Sequence, residues 1–223
     1  DKVRAVQVVN EMQKRNDWIL NPQGSEFAAK MTGFGFFWYL GTSPAAALVN
    51  ITQTPMIGLP VLGSRYGYKG SAKALLDASK DFIKGRGHAD KALSGLELDA
   101  FRAFEKSGVI DKTQAHDVTG IADGGVAYSP RYHKVMKVAG FMFHHAERFN
   151  REVTAMAAYR LAFTKVKQEM TGKPAGVVEA LAHAKAIDAA MELVKLSHFD
   201  YANSNRARVI QSDAARVLLL FRQ

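Results

Sequence analysis

An all-α fold is predicted by three features of the sequence. Apolar residues recur at steps of three and four, no segment alternates convincingly with a period of two, and glycine and proline separate stretches of helical length. The expected architecture is an elongated multi-helix bundle, with long heptad-patterned helices beside a compact cluster of short buried helices. The 223 residues suffice for one large domain or two small ones, and 48% hydrophobic with 23% charged residues is ordinary for a folded chain.

The first element spans 1–19, where Val3, Val6, Val8 or Val9, Met12 and Trp18 stand near helical spacing. Asn21-Pro22-Gln23-Gly24 breaks it, and Ser25 fits the N-cap of a second helix running through Phe34 to Leu40. Between Lys30 and Arg65 there is no charged residue. A spanning helix needs about 20 uninterrupted apolar residues. Here Gly41, Pro44, Pro55 and Pro60 cut the run, with Asn50 and Gln53 inside it. Short buried helices are the expectation for 31–64, and membrane insertion after a conformational change is the alternative.

A helix over 71–84 follows, preceded by a tight turn at Gly67-Tyr68-Lys69-Gly70 that lacks the spacing of a phosphate-binding loop. Ser94-Gly95-Leu96-Glu97 is a capping-box pattern opening a helix through Phe101 and Phe104, and Gly108 fits its C′ position. A short helix is expected at 112–118, capped by Asp111, then a glycine-rich turn at 120–126.

The second half is more regular. Val138, Met142, His145, Phe149, Glu152, Met156, Tyr159, Phe163, Val166 and Met170 form a heptad seam, about 50 Å of helix at 1.5 Å per residue. Pro174 opens another helix, with Val177, Ala180, Ala184, Ile187, Met191 and Val194 in the same spacing. A third, after Asp200, carries Val209, Ile210, Ala214, Val217, Leu218 and Phe221. Long helices joined by short breaks fold back as antiparallel neighbours. The expected division is a short-helix part over 1–128 and a long-helix bundle over 129–223. The chain opens on Asp1 and ends in an apolar run at 217–223 without a stop signal, so it is expected to be a piece of a longer polypeptide.

Chemistry is less legible. Without cysteine, disulfides and thiolate metal sites are excluded. His145 and Glu152 occupy seam positions where apolar residues belong, with Glu147, Asn150 and Arg151 in the same turns. An acid, a base and a histidine on one helix suggest acid–base or metal chemistry. However, the adjacent His144 and His145 point about 100° apart and cannot face one ion together. The favoured reading is a structural polar network of His145, Glu147, Asn150, Arg151 and Glu152 that fixes helix register. No catalytic, cofactor or metal residue is assigned, and no enzymatic activity is expected. The net charge of +9, from 30 Lys+Arg against 21 Asp+Glu, favours polyanionic neighbours, without a run of basic residues. Arg206, Arg208 and Arg216 are the candidate contacts to DNA or phosphate.

Three stretches together carry a resemblance. They are Asn21-Pro22-Gln23-Gly24 with 38–55 (WYLGTSPAAALVNITQTP), 147–154 (ERFNREVT), and 199–208 (FDYANSNRAR). Their order resembles the helical C-terminal region of large phage internal virion, or DNA-ejection, proteins of the PLxRFG and polyvalent type. The resemblance implies packaging inside the capsid, exit with the genome, and assembly of a conduit or inner core for delivery across the bacterial envelope. It implies as partners further copies of the chain, companion virion proteins, DNA without sequence preference and the host inner membrane. Two alternatives stay open: a scaffold attached to an enzymatic module, such as a virion RNA polymerase or a peptidoglycan-cleaving domain, and a membrane-active helical module.

Overall fold

A computed structural model describes residues 2–20, 26–110, 138, 140–172, 174–198 and 213–218. Among them every regular element is helical. In chain order these are α1 (Lys2–Leu20), α2 (Glu26–Phe36), a π turn (Phe37–Gly41), α3 (Pro44–Ile51), a second π turn (Thr54–Gly58), α4 (Leu59–Tyr66), α5 (Tyr68–Lys84), a 3-10 turn (Ala89–Ala92), α6 (Gly95–Ser107), α7 (Phe141–Glu169), α8 (Ala175–His198) and α9 (Asp213–Leu218). The caps expected at Ser25 and Asp111, the helix at 112–118 and the turn at 120–126 lie outside the described residues.

The expected division at 128/129 does not match the contacts. One unit comprises Asp1–Ser43, Gln114–Met142 and Tyr201–Gln223, and the other Pro44–Thr113 and Phe143–Asp200. The long helices therefore share a core with the segment at 44–113 and do not form a bundle of their own. The reason is visible in α7, whose buried faces need more neighbours than α8 can supply.

In the first unit, α2 buries Ala28 and Thr32, and the Thr32 hydroxyl donates to the Ala28 carbonyl at 2.7 Å. Phe34 stacks on Trp38 with ring centroids 6.1 Å apart. The stripe expected to bury α1 does not: Val3, Val6, Val8, Val9 and Met12 are all exposed.

In the second unit, α7 is the central rod. Every residue from 150 to 159 is buried. Around it pack Leu62 of α4, Leu75, Ala78 and Phe82 of α5, Ala100, Phe101 and Phe104 of α6, Val109 and Ile110 beyond it, and Ala186, Ala190, Leu193 and Val194 of α8. Burying each large side chain such as Phe101 or Phe104 contributes about 1.5–3 kcal/mol. This corrects the heptad expectation. Val138 and Met142 are exposed, and residues between the seam members Glu152, Met156 and Tyr159 are as buried as they are. Ala155, Ala157, Ala158 and Ala162 leave room for neighbours on several sides, so one seam does not form.

The register of α8 also differs from expectation. In its first half Val177, Ala180 and Ala184 face solvent while Val178, Ala182 and Ala186 are buried. In its second half the expected Val194 is buried, and Ile187 and Met191 pack on the core, beside Ala190 and Leu193. Alanine at every fourth position, Ala182, Ala186 and Ala190, forms the small buried stripe of α8.

Local signals fare well where the backbone itself imposes them. Gly67 has φ 85°, a left-handed value that separates α4 from α5, although α5 begins at Tyr68 and not at 71. Gly108 closes α6 at φ 71° and ψ 13°. Ser94 stands at the N-cap of α6 without a side-chain capping bond, and the Glu97 carboxylate accepts from Arg160.

The uncharged stretch does form short helical pieces. The second π turn contains Pro55, which has no N–H for an i→i−4 bond, so the helix widens there and continues. Burial, however, is partial: Leu48 is 66% exposed, Val49 70% and Met56 72%. Among the described residues, Pro44–Tyr66 is long and apolar enough, by length and composition alone, to cross a membrane.

Candidate functional site

The densest polar cluster sits on the first half of α7, in the second unit. Consecutive helical residues point about 100° apart, so Asn150, Arg151 and Glu152 leave the helix in three directions. Each meets a different neighbour.

Asn150 is fully buried and faces α3 and the turn after it. Its amide nitrogen donates to the Asn50 carbonyl at 2.6 Å and to Asn50 Oδ1 at 3.1 Å. Its carbonyl oxygen accepts from the Thr54 hydroxyl at 2.6 Å. Gln53 Oε1 stands at the edge of the set, 3.5 Å from Asn150 Nδ2.

Arg151 points to the ends of two other elements. Nη1 donates to the Val109 carbonyl at 2.9 Å, just past α6, and Nη2 to the His198 carbonyl at 3.2 Å, at the last residue of α8. The second contact supplies a cation to the C-terminal carbonyls of a helix, where the helix dipole favours one. Glu147, also buried, stands one turn earlier with Oε1 3.9 Å from Arg151 Nε.

Glu152 accepts the Ala89 backbone N–H at 2.9 Å, anchoring the start of the 3-10 turn, and pairs with Arg148 Nε on its other oxygen. Burial raises its pKa above the usual carboxylate value, against the pull of the Ala89 N–H and Arg148. His145 is half-buried, one turn before Arg148 and Phe149. Burial, then the charge of Arg148, holds it below the ordinary histidine value. Thus Glu147, Asn150, Arg151 and Glu152 share one helix but form three separate clamps, with His145 beside one of them.

Several participants carried no recognisable signal in the sequence. His198 is buried, and a 2.8 Å hydrogen bond joins its Nε2 to Thr154 Oγ1. Its Nδ1 has no hydrogen-bond partner among the described residues. Burial, with Arg151 nearby, pulls its pKa down to about 3. Arg160 binds Glu97 through two nitrogens at 2.8 and 2.6 Å and Asp81 at 2.7 Å, tying α7 to α5 and α6. From the adjacent position, the Tyr159 hydroxyl shares a 2.9 Å bond with His183 Nδ1.

Of the arginines expected to touch phosphate, Arg206 and Arg208 lie outside the described residues. Arg216 falls within α9, and its side chain also lies outside them. In the first unit an open apolar depression of about 770 Å³ is lined by Met31, Phe34, Trp38, Tyr39, Val217 and Leu218. Among the described residues no group of three or more acidic, histidine or cysteine side chains is arranged to hold a metal ion.

Neither family models, curated proteins nor solved structures provide a match for this chain.

Proposed function

We propose that the chain is a structural segment of a phage internal virion protein, assembling into a conduit or inner core for genome delivery. The observation that carries this reading is the meeting of two stretches on which the resemblance rests. Asn50, Gln53 and Thr54 of the first stretch converge on Asn150 of the second, 96 to 100 positions away. Motif residues used in this way hold helices together, and the same use is made of Arg151, Glu152 and Arg160. Such a helical body suits packing against further copies and companion virion proteins, and its +9 charge suits proximity to DNA.

The test is hydrodynamic and electrostatic. The purified chain should sediment as an oligomer or bind companion virion proteins. It should also bind unrelated DNA duplexes equally, with an affinity that falls steeply between about 50 and 200 mM salt. A monomer with no DNA affinity at low salt defeats the reading.

A further inference from the structure

The helical run Pro44–Tyr66 has its polarity reversed over its first part. Beyond Gly58, by contrast, Leu62 is buried, Leu59, Val61 and Tyr66 pack on the core, and Ser64 and Arg65 are exposed. A helix on the surface of a water-soluble unit turns apolar residues inward and polar ones outward. Here the buried stripe is Ala47, Asn50, Thr54, Gly58 and Leu62, at steps of three and four, and it contains two of the side chains that bond to Asn150, those of Asn50 and Thr54. The outward side carries Leu48, Val49 and Met56, each more than 60% exposed, with Pro55 and Pro60 between them and the helix end. Thr52 donates to the Val49 carbonyl at 2.6 Å and Ser64 to the Val61 carbonyl at 2.9 Å, both within the helix. Over 44–56, polar groups turned inward and apolar groups outward are what a hydrocarbon boundary selects.

The inner face fixes the geometry of such contact. Asn50 and Thr54 tie the run to α7, and a Cβ on Gly58 would lie 3.3 Å from Thr154 Oγ1, so this side has no room for lipid. At the far end Arg65 is paired with the exposed Glu192 of α8 at 2.7 Å. Lys69 and Lys73 follow on α5, both exposed. The run is thus one wall of the unit, followed in the chain by exposed basic residues.

From this we infer that Pro44–Tyr66 is a membrane-surface helix: it lies in the plane of an anionic bilayer, its Leu48–Val49–Met56 face at the headgroup–acyl boundary and Lys69 and Lys73 toward the lipid phosphates. Apolar area and electrostatic attraction together set the strength of such binding. The inference rests on burial and hydrogen bonding within the second unit and stands apart from any reading of assembly or DNA binding.

The experiment is co-sedimentation of the full chain with vesicles of phosphatidylethanolamine and phosphatidylglycerol, against vesicles of phosphatidylcholine alone. The chain should partition to the anionic vesicles. Val49→Asp with Met56→Asp, both at exposed positions and checked for unchanged helicity by circular dichroism, should lower partition by about tenfold or more. Lys69→Gln with Lys73→Gln should lower the preference for anionic over neutral vesicles by about tenfold. A chain that stays in the supernatant with every vesicle overturns the inference, as does an aspartate variant that partitions like the parent. Loss of self-association in the aspartate variant, with no vesicle binding by the parent, assigns the face to a second copy and equally overturns it.

Discussion

Asn150 on α7 donates its side-chain amide to the main-chain carbonyl of Asn50 at 2.6 Å, across 100 positions of sequence. Both residues are buried, and Thr54 completes the set by donating to the Asn150 carbonyl oxygen. A side chain that bonds a main-chain group holds one register only. Sliding α7 by a residue would swing Asn150 through about 100° and orphan three polar atoms at once.

Removing this clamp one side at a time should therefore cost more than removing both. Asn150→Leu leaves the Thr54 hydroxyl and the Asn50 amide buried without partners, an expected loss of about 2–4 kcal/mol. Thr54→Val alone should cost about 1–2 kcal/mol. In the double variant Thr54 no longer presents an orphan hydroxyl, so its cost falls below the sum of the single ones. Urea denaturation of the four proteins in a double-mutant cycle measures the coupling. Simple additivity would show that the clamp does not act as a unit.

How much of this was legible in the sequence depends on the range of the signal. Gly67 and Gly108 announce their breaks because left-handed backbone is a local requirement, readable at one position. The residues Asn150, Arg151 and Glu152 stand out because polar side chains interrupt an apolar pattern. Their partners do not stand out. Arg151 ends on the carbonyls of Val109 and His198, and Glu152 on the N–H of Ala89, main-chain groups that every residue possesses. In the sequence Glu97 fits a capping box, because Ser94 precedes it by three. Only the fold brings Arg160 close enough to take its carboxylate. The outward face of 44–66 was illegible for a different reason, since composition alone does not distinguish a helix buried in protein from one that faces lipid.

Arg160 gives a prediction that separates geometry from charge. It holds two carboxylates on two helices, Asp81 and Glu97, in a partly buried site. Hydrogen bonding to Glu97 is the first cause of its raised pKa, so the guanidinium stays charged throughout the accessible range. Arg160→Lys keeps the charge but cannot reproduce the planar fork, and should destabilise by about 1–2 kcal/mol. Glu97→Gln should cost less, because one oxygen remains to accept. A lysine variant as stable as the parent would show that the site needs only a cation there.

Two glycines offer a matched pair. A Cβ on Gly85 would lie 1.9 Å from the His88 carbonyl oxygen, at the turn that delivers the Ala89 N–H to Glu152. Because the obstacle is backbone, Gly85→Ala should cost about 2–4 kcal/mol and loosen the turn. A Cβ on Gly176, in the first turn of α8, meets nothing within 4 Å. Gly176→Ala should be neutral or stabilising, by up to about 1 kcal/mol. Thermal melts of the two variants test both signs together.

His198 makes the folded state sensitive to acid. Its ordinary value is 6.5 and its folded value about 3, lowered first by burial and then by Arg151. The unfolded chain therefore binds a proton in the interval between them while the folded chain does not. Stability from this group is complete above the unfolded value and is lost as pH falls toward the folded one, by about 1.4 kcal/mol per pH unit. Glu152 runs the other way, since its folded value is raised and its burial as a charge is relieved in acid. Comparing the parent with His198→Gln isolates the histidine, because Glu152 is common to both. The variant should be less stable near neutrality, having lost the packing of the ring on Thr154. That deficit should shrink by about 2 kcal/mol near pH 5, where the parent has lost what His198 contributed. Chemical denaturation at a series of pH values gives the two curves. Parallel curves would mean that His198 gains a proton in the folded chain as readily as in the unfolded one, and that its buried, neutral state is not what holds α8 against α7.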